Sequence, residues 1–163
     1  MAAKRQGIQY LTVDDLKVIN DRLIKMKTPD EISGVFSQAN LEMAQQSPCQ
    51  YRYYKQTEDV IELASVLFES IARNHAFHNA NKRTAAVAAS VFMLLNGYEL
   101  TAPDNDLVEV SVAIVTGEIS REYLEDFLYH WHRPIDSLEE MGNETLRRLV
   151  DRMVKYQESQ NPA

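Results

Sequence analysis

His75, Asn81, Lys82 and Arg83 fall within nine residues of one another, and their types suit chemistry on a phosphate. Asn81 begins a segment, Asn81 to Leu95, that is apolar nearly all round after its first turn. A helix starting there presents unpaired N–H groups and a partial positive charge, the setting in which phosphate binds. The sequence predicts Asn81 as its cap. Lys82 and Arg83 would add two full charges to an end that is already positive, which is unfavourable for the helix alone. They point to an anion supplied from outside; the bland alternative is a solvated basic turn. His75 stands one loop earlier. A lone histidine is ordinarily structural, but beside a phosphate its usual pKa of about 6.5 suits proton removal from a hydroxyl. Phe77 is expected to pack into the core and pin the loop.

The charge pattern supports this placement. Between Glu69 and Glu99 there is no Asp or Glu, while Arg73, Lys82 and Arg83 lie in that window of a chain whose formal charge is −7. A buried helix explains the lack of charge from Thr84 to Leu95, but not the His, Asn, Lys and Arg crowded between Arg73 and Arg83. The acidic total itself argues against direct nucleic-acid binding. At 163 residues one domain is the expectation. None of the five glycines is spaced as a dinucleotide fingerprint or a Walker loop. A single cysteine, Cys49, excludes an internal disulfide framework and fits a reducing cytoplasm. No apolar signal-type core follows Met1, and the longest apolar run, Ala85 to Leu95, is about half of a membrane span.

The elements that must position these residues read as helices. Thr12 caps a first helix carrying Leu16, Ile19, Leu23 and Ile24, which Thr28-Pro29 ends. A short helix is expected over Gln38–Gln46, then a loop at Ser47-Pro48 and an aromatic cluster, Tyr51, Tyr53 and Tyr54. From Thr57 onward Val60, Ile61, Ala64, Leu67, Phe68 and Ile71 mark an amphipathic helix. Beyond the central apolar helix, Gly97 is a stop and Tyr98–Thr101 an extended piece. Helices follow from about Asp104 to Thr116, closed by Gly117, and from the cap Ser120 to about His132. After Pro134, Leu146, Leu149, Val150, Met153 and Val154 give a further amphipathic helix. The fold class is all-α, with a central buried helix and an extra C-terminal helix. A domain over 1–133 and an extension over 134–163 are expected.

The run His75-Ala76-Phe77-His78-Asn79-Ala80-Asn81-Lys82-Arg83 resembles the Fic/Doc signature, His-x-Phe-x-(acidic)-(Gly/Ala)-Asn-(Gly/Lys)-Arg. Lys82 is similar to the Doc branch, where adenylylating Fic proteins carry Gly; those also tend to have an Arg at the position of Ala86. The resemblance extends through Tyr10-Leu11-Thr12, Gly34-Val35 with Leu41, and Leu95-Asn96-Gly97-Tyr98, over roughly residues 8–132. It implies a Fic/Doc-like helical bundle and a cytoplasmic toxin of a toxin–antitoxin pair. Such proteins move the γ-phosphate of ATP onto a threonine of elongation factor Tu and stop translation. Carried over, His75 would be the general base. Asn81 and the loop backbone at Ala80 would hold phosphate oxygens, and Lys82 and Arg83 would offset charge on the triphosphate.

One position departs from the pattern. Asn79 stands where the family has a carboxylate to hold Mg²⁺, and a neutral amide binds a hard cation less well. The resemblance therefore implies a weakened metal site, with activity reduced or absent. Two other functions compete with phosphotransfer: transfer of AMP, which Lys82 and Ala86 disfavour, and a catalytically silent binding module, which Asn79 favours. No Glu is followed by Gly or Asn, so the built-in inhibitory pattern of many Fic proteins is missing, and an antitoxin in trans is expected. The apolar face of the tail would pack on the core or form a homodimer contact. His75-x-x-His78 could face one metal but has no third ligand nearby. His130-Trp131-His132 reads as surface or packing on the last helix of the Doc-like part, and the three tyrosines as core and loop packing or a target-binding edge.

Overall fold

Residues 7–135 are those that the computed structural model describes, and they hold six helices and two short strands. Helix α1 (Val13–Lys27) begins in a capping box: Thr12 Oγ1 accepts from Asp15 N–H, and Asp15 accepts from Thr12 N–H. Its buried face is Leu16, Asn20, Leu23, Ile24 and Lys27, so two polar side chains interrupt an apolar stripe. It ends at Thr28, as the following Pro29 requires.

Helix α2 corrects the expectation of a short helix and a loop. It runs unbroken over Gln38–Lys55 with Pro48 inside. Proline lacks the N–H that would bond the carbonyl four residues back, here the buried Ala44. Ser47 Oγ takes up that carbonyl at 2.7 Å, so the missing donor is replaced by its neighbour and the helix continues. Tyr53 and Tyr54 thereby lie on a helix and are exposed, which removes the core-packing reading for both. Tyr51 is half-buried against Arg121 and Glu62.

Helix α3 (Val60–Arg73) is capped by Asp59, two residues later than Thr57. Helix α4 (Asn81–Leu95) is the centre: eleven of its fifteen residues are buried, and it packs against α3, α1, α5 (Asp104–Thr116) and strand β1 (Tyr98–Leu100). The fully buried alanines 85, 86, 88 and 89 let these neighbours approach from several sides. Ser90 Oγ donates to Ala86 O, so the hydroxyl in this core is satisfied. At its far end Asn96 exchanges two hydrogen bonds with the Gln9 backbone, tying the N-terminal segment down.

Gly117 closes α5 at φ +82, and Ser120 caps α6 (Arg121–His130). His132 was expected on that helix and is not. It opens β2 (His132–Pro134), which pairs antiparallel with β1, Leu100 opposite His132 and Glu99 opposite Arg133. Ladder bonds hold the chain out of the helix there: Thr101 N–H donates to Trp131 O and Ile135 N–H to Gly97 O. Among the described residues no helix is long and apolar enough to cross a membrane. The extension over 134–163, with its expected amphipathic helix, lies outside the described residues beyond Ile135.

The account of Pro48 is testable by a double-mutant cycle. Ser47→Ala should cost about 1–3 kcal/mol in urea unfolding, because the buried Ala44 carbonyl loses its partner. In a Pro48→Ala background, where a backbone N–H is restored, the same change should cost less than half as much. Equal costs in both backgrounds would refute it.

Candidate active site

The loop from His75 to Ala80 joins the two helices that pack most closely, and its ends are held in unusual backbone. His75 (φ +51) and Ala80 (φ +63) are both left-handed, a conformation that costs a non-glycine residue energy and persists only where neighbours enforce it. The enforcing contacts can be named. Phe77 is buried in the core, as the sequence predicts. Its N–H donates to Asn81 Oδ1 and its carbonyl accepts from Asn81 Nδ2, both at 3.0 Å. On the outer side the loop pairs with residues 34–37: Ala76 O accepts from Phe36 and Ser37 N–H, and His78 N–H donates to Gly34 O. From α1, the buried Asn20 donates to Asn79 O at 2.9 Å and to Thr84 Oγ1 at 3.1 Å.

Asn81 is therefore not the cap of α4. The cap is Ala80, which has no side chain to offer, and no acidic residue lies in the first turn. The α4 N-terminus opens into a cavity of about 310 Å³. His75, His78, Asn79, Ala80, Asn81, Lys82 and Arg83 line it, with Glu31, Ala72 and Val115. The candidates for phosphate chemistry, His75, Asn79, Ala80, Asn81, Lys82 and Arg83, thus share this cavity, and Phe77 does not line it. His75 and Lys82 are exposed; Arg83 is buried.

Arg83 is anchored from one side only. Its Nη2 donates to Thr28 Oγ1 at 3.5 Å and lies 3.6 Å from Glu31 Oε2, while the buried Nη1 has no hydrogen-bond partner. A buried guanidinium with an unused donor is costly unless something accepts from it. Lys27, the last residue of α1, is buried close to it. Burial first, and the Arg83 charge second, push its ammonium down from 10.5 to about 6, with Asp104 opposing.

Magnesium fits poorly. Asn79 Nδ2 donates to Ile32 O at 3.0 Å, so its side chain has one neutral oxygen to offer. Glu31, the carboxylate of the lining, is engaged with Arg83. Among the described residues no three of His, Cys, Asp and Glu gather as metal ligands, and His75 with His78 makes only a pair.

Sequence reasoning missed Asn20, Lys27, Thr28 and Glu31. A signal existed for the first two: both occupy the apolar stripe of α1, at helical spacing from Leu16 and Leu23, where a polar residue needs a partner. Thr28 and Glu31 carried none, because only the fold brings the turn after α1 to Arg83.

Comparison with known proteins finds relatives of this chain. The chain is 35% identical over 75 residues to "Protein kinase doc" of Escherichia phage P1, covering 46% of this chain and 59% of that protein. It is 51% identical over 39 residues to "Toxin Doc" of Mycolicibacterium smegmatis, covering 24% of this chain and 30% of that protein. The matches thus span less than two thirds of either relative. The model of the Fic/DOC family matches residues 10–93, from two residues before the Thr12 cap of α1 to two residues short of the end of α4. That is more than half of the chain and includes the whole loop and its supports in α1. The chain belongs to the Fic/DOC family.

Proposed function

We propose that this chain is a Doc-like toxin of a toxin–antitoxin pair that moves the γ-phosphate of ATP onto a hydroxyl of a protein target in the cytoplasm. Elongation factor Tu is the proposed target and an antitoxin in trans the proposed inhibitor. The observation that carries the reading is the uncapped α4 N-terminus, with the unpartnered Arg83 Nη1 beside it and His75 on the same cavity.

In this mechanism the triphosphate rests on the free backbone N–H groups after Ala80, with Lys82 and Arg83 offsetting its charge. The target hydroxyl oxygen bonds to the γ-phosphorus as its proton passes to the His75 imidazole. The bond to the bridging oxygen breaks and ADP leaves. Asn81, whose polar groups serve Phe77, acts by shaping the loop and only secondarily by touching oxygens. Mg²⁺ supplies charge to phosphate oxygens when nucleotide brings it; with Asn79 the chain itself adds little, and no step is assigned to it. Asn79 also favours the competing reading, a silent binding module, while Lys82 and Ala86 weigh against transfer of AMP. Mass spectrometry of the target after incubation with ATP separates the three, by the gain of a phosphoryl group, of AMP, or of nothing.

His75→Ala should lower phosphotransfer by roughly 10²–10⁴ with little change in melting temperature, since the side chain is exposed. An undiminished rate would remove His75 from the mechanism.

Asn79→Asp should raise the rate by on the order of 10² or more, if a placed metal is worth a few kcal/mol. It should also make ATP affinity more dependent on magnesium. The assay is γ-labelled ATP with purified elongation factor Tu across a magnesium titration. Equal, robust rates would show that position 79 is not a metal site here; no activity in either form would favour the binding module.

A further inference from the structure

Asn20 takes no part in the mechanism above, yet it reaches the start of α4 from another helix. It is buried in the middle of α1, and its Nδ2 donates in two directions, to Asn79 O at 2.9 Å and to Thr84 Oγ1 at 3.1 Å. Both amide protons are therefore in use, and at that burial solvent does not readily replace them. The two acceptors flank Ala80, the left-handed cap of α4 at φ +63. Thr84 is tied to the cap a second time, its N–H donating to Ala80 O at 2.9 Å.

The bond to Asn79 O fixes the whole peptide unit. In a trans peptide the carbonyl and the N–H that follows it point in opposite directions, so holding Asn79 O toward α1 turns the Ala80 N–H away from it. No described residue accepts from that N–H. Asn79 and Ala80 line the cavity together with Arg83, a buried guanidinium whose Nη1 is also without a partner. The peptide has a less strained alternative. Turning it over by half a rotation carries Ala80 from φ +63 to about −120, ordinary extended backbone that any residue adopts. The same rotation exchanges N–H for carbonyl, so that an oxygen would face the anion in place of a donor.

We propose that Asn20 is a positioning residue of the phosphate site: it latches the Asn79–Ala80 peptide in the strained orientation that offers an N–H to the anion, and without it the peptide turns over. The inference rests on reading the cavity as a phosphate site. An alanine freed of its neighbours favours the extended over the left-handed form by about five- to thirtyfold. Apparent affinity falls with the fraction of molecules in the competent form. Glycine populates both forms about equally. A latch is needed here because position 80 carries a methyl group.

The test is calorimetric titration of ATP and magnesium into the full chain, into Asn20→Ala, into Ala80→Gly and into the double variant. Asn20→Ala should weaken binding about five- to thirtyfold. Made in the Ala80→Gly background, the same change should weaken it only about twofold. A residue that merely packs α1 against α4 would have the same effect in both backgrounds. Equal losses would therefore overturn the latch while leaving the phosphate site standing, and so would undiminished binding by Asn20→Ala. Absence of ATP binding to the parent would overturn the phosphate reading and the latch with it.

A paired variant guards against a chain that folds badly. Asn20→Leu with Thr84→Val replaces two buried hydrogen-bonding partners by apolar groups of similar shape, an exchange that folds tolerate, and still leaves Asn79 O without its donor. It should show the same five- to thirtyfold loss. The coupling between the amide and Cα protons of Ala80 should move from that of a left-handed residue to that of an extended one. Parental affinity or an unmoved coupling in this pair would overturn the proposal.

Discussion

Two hydrogen bonds from one side chain, Asn81 to the N–H and carbonyl of Phe77, hold the shape on which the site depends. They satisfy the N–H and carbonyl of the buried Phe77, while Ala76 and His78 on either side bond to residues 34–37. They also consume the side chain that would otherwise cap α4, leaving Ala80 at the cap with nothing to offer. The cap stays open because its natural donor of oxygen is employed in bending the chain. The same residue thus makes the loop and leaves the start of α4 without a side-chain cap.

The burial of α4 sets the second constraint. A helix surrounded on several sides by others can carry charge only at its ends, and its C-terminal half carries none. Arg83 sits at the boundary, in the first turn but already buried. Its support comes from the turn after α1 rather than from α4 itself. One side of the guanidinium is spent on Thr28 and Glu31, and Nη1 on the other is buried without a hydrogen-bond partner. A chain with an overall charge of −7 therefore concentrates opposite charge in one recess, where low dielectric makes each unit count for more.

What the sequence made legible was local. The Thr12 capping box, the amphipathic α3, the buried α4, the Gly117 stop and the anchoring role of Phe77 follow from residues within a turn or two of each other. The errors arose where a local rule met a compensation. Pro48 should end a helix, but Ser47 supplies the missing donor. His132 continues a helical pattern, but strand pairing with Leu100 claims it. Asn81 is a good cap by type, yet its side chain finds better partners four residues back. The site residues that escaped notice, Thr28 and Glu31, make their contacts with Arg83 only across the fold.

That difference in range divides the site in time. The bonds that bend the loop join residues four apart in sequence, so they can form as soon as α3 and α4 meet. The bonds from Asn20 to Asn79 and Thr84 span 59 and 64 residues, and that from Arg83 to Thr28 spans 55. Closing such long segments carries a far larger entropic cost and comes later in assembly. A half-folded chain would hold the bend without the orienting of Arg83. The cradle's geometry is inherited from the nearest neighbours, whereas its charge is set only when α1 arrives from the far end of the chain.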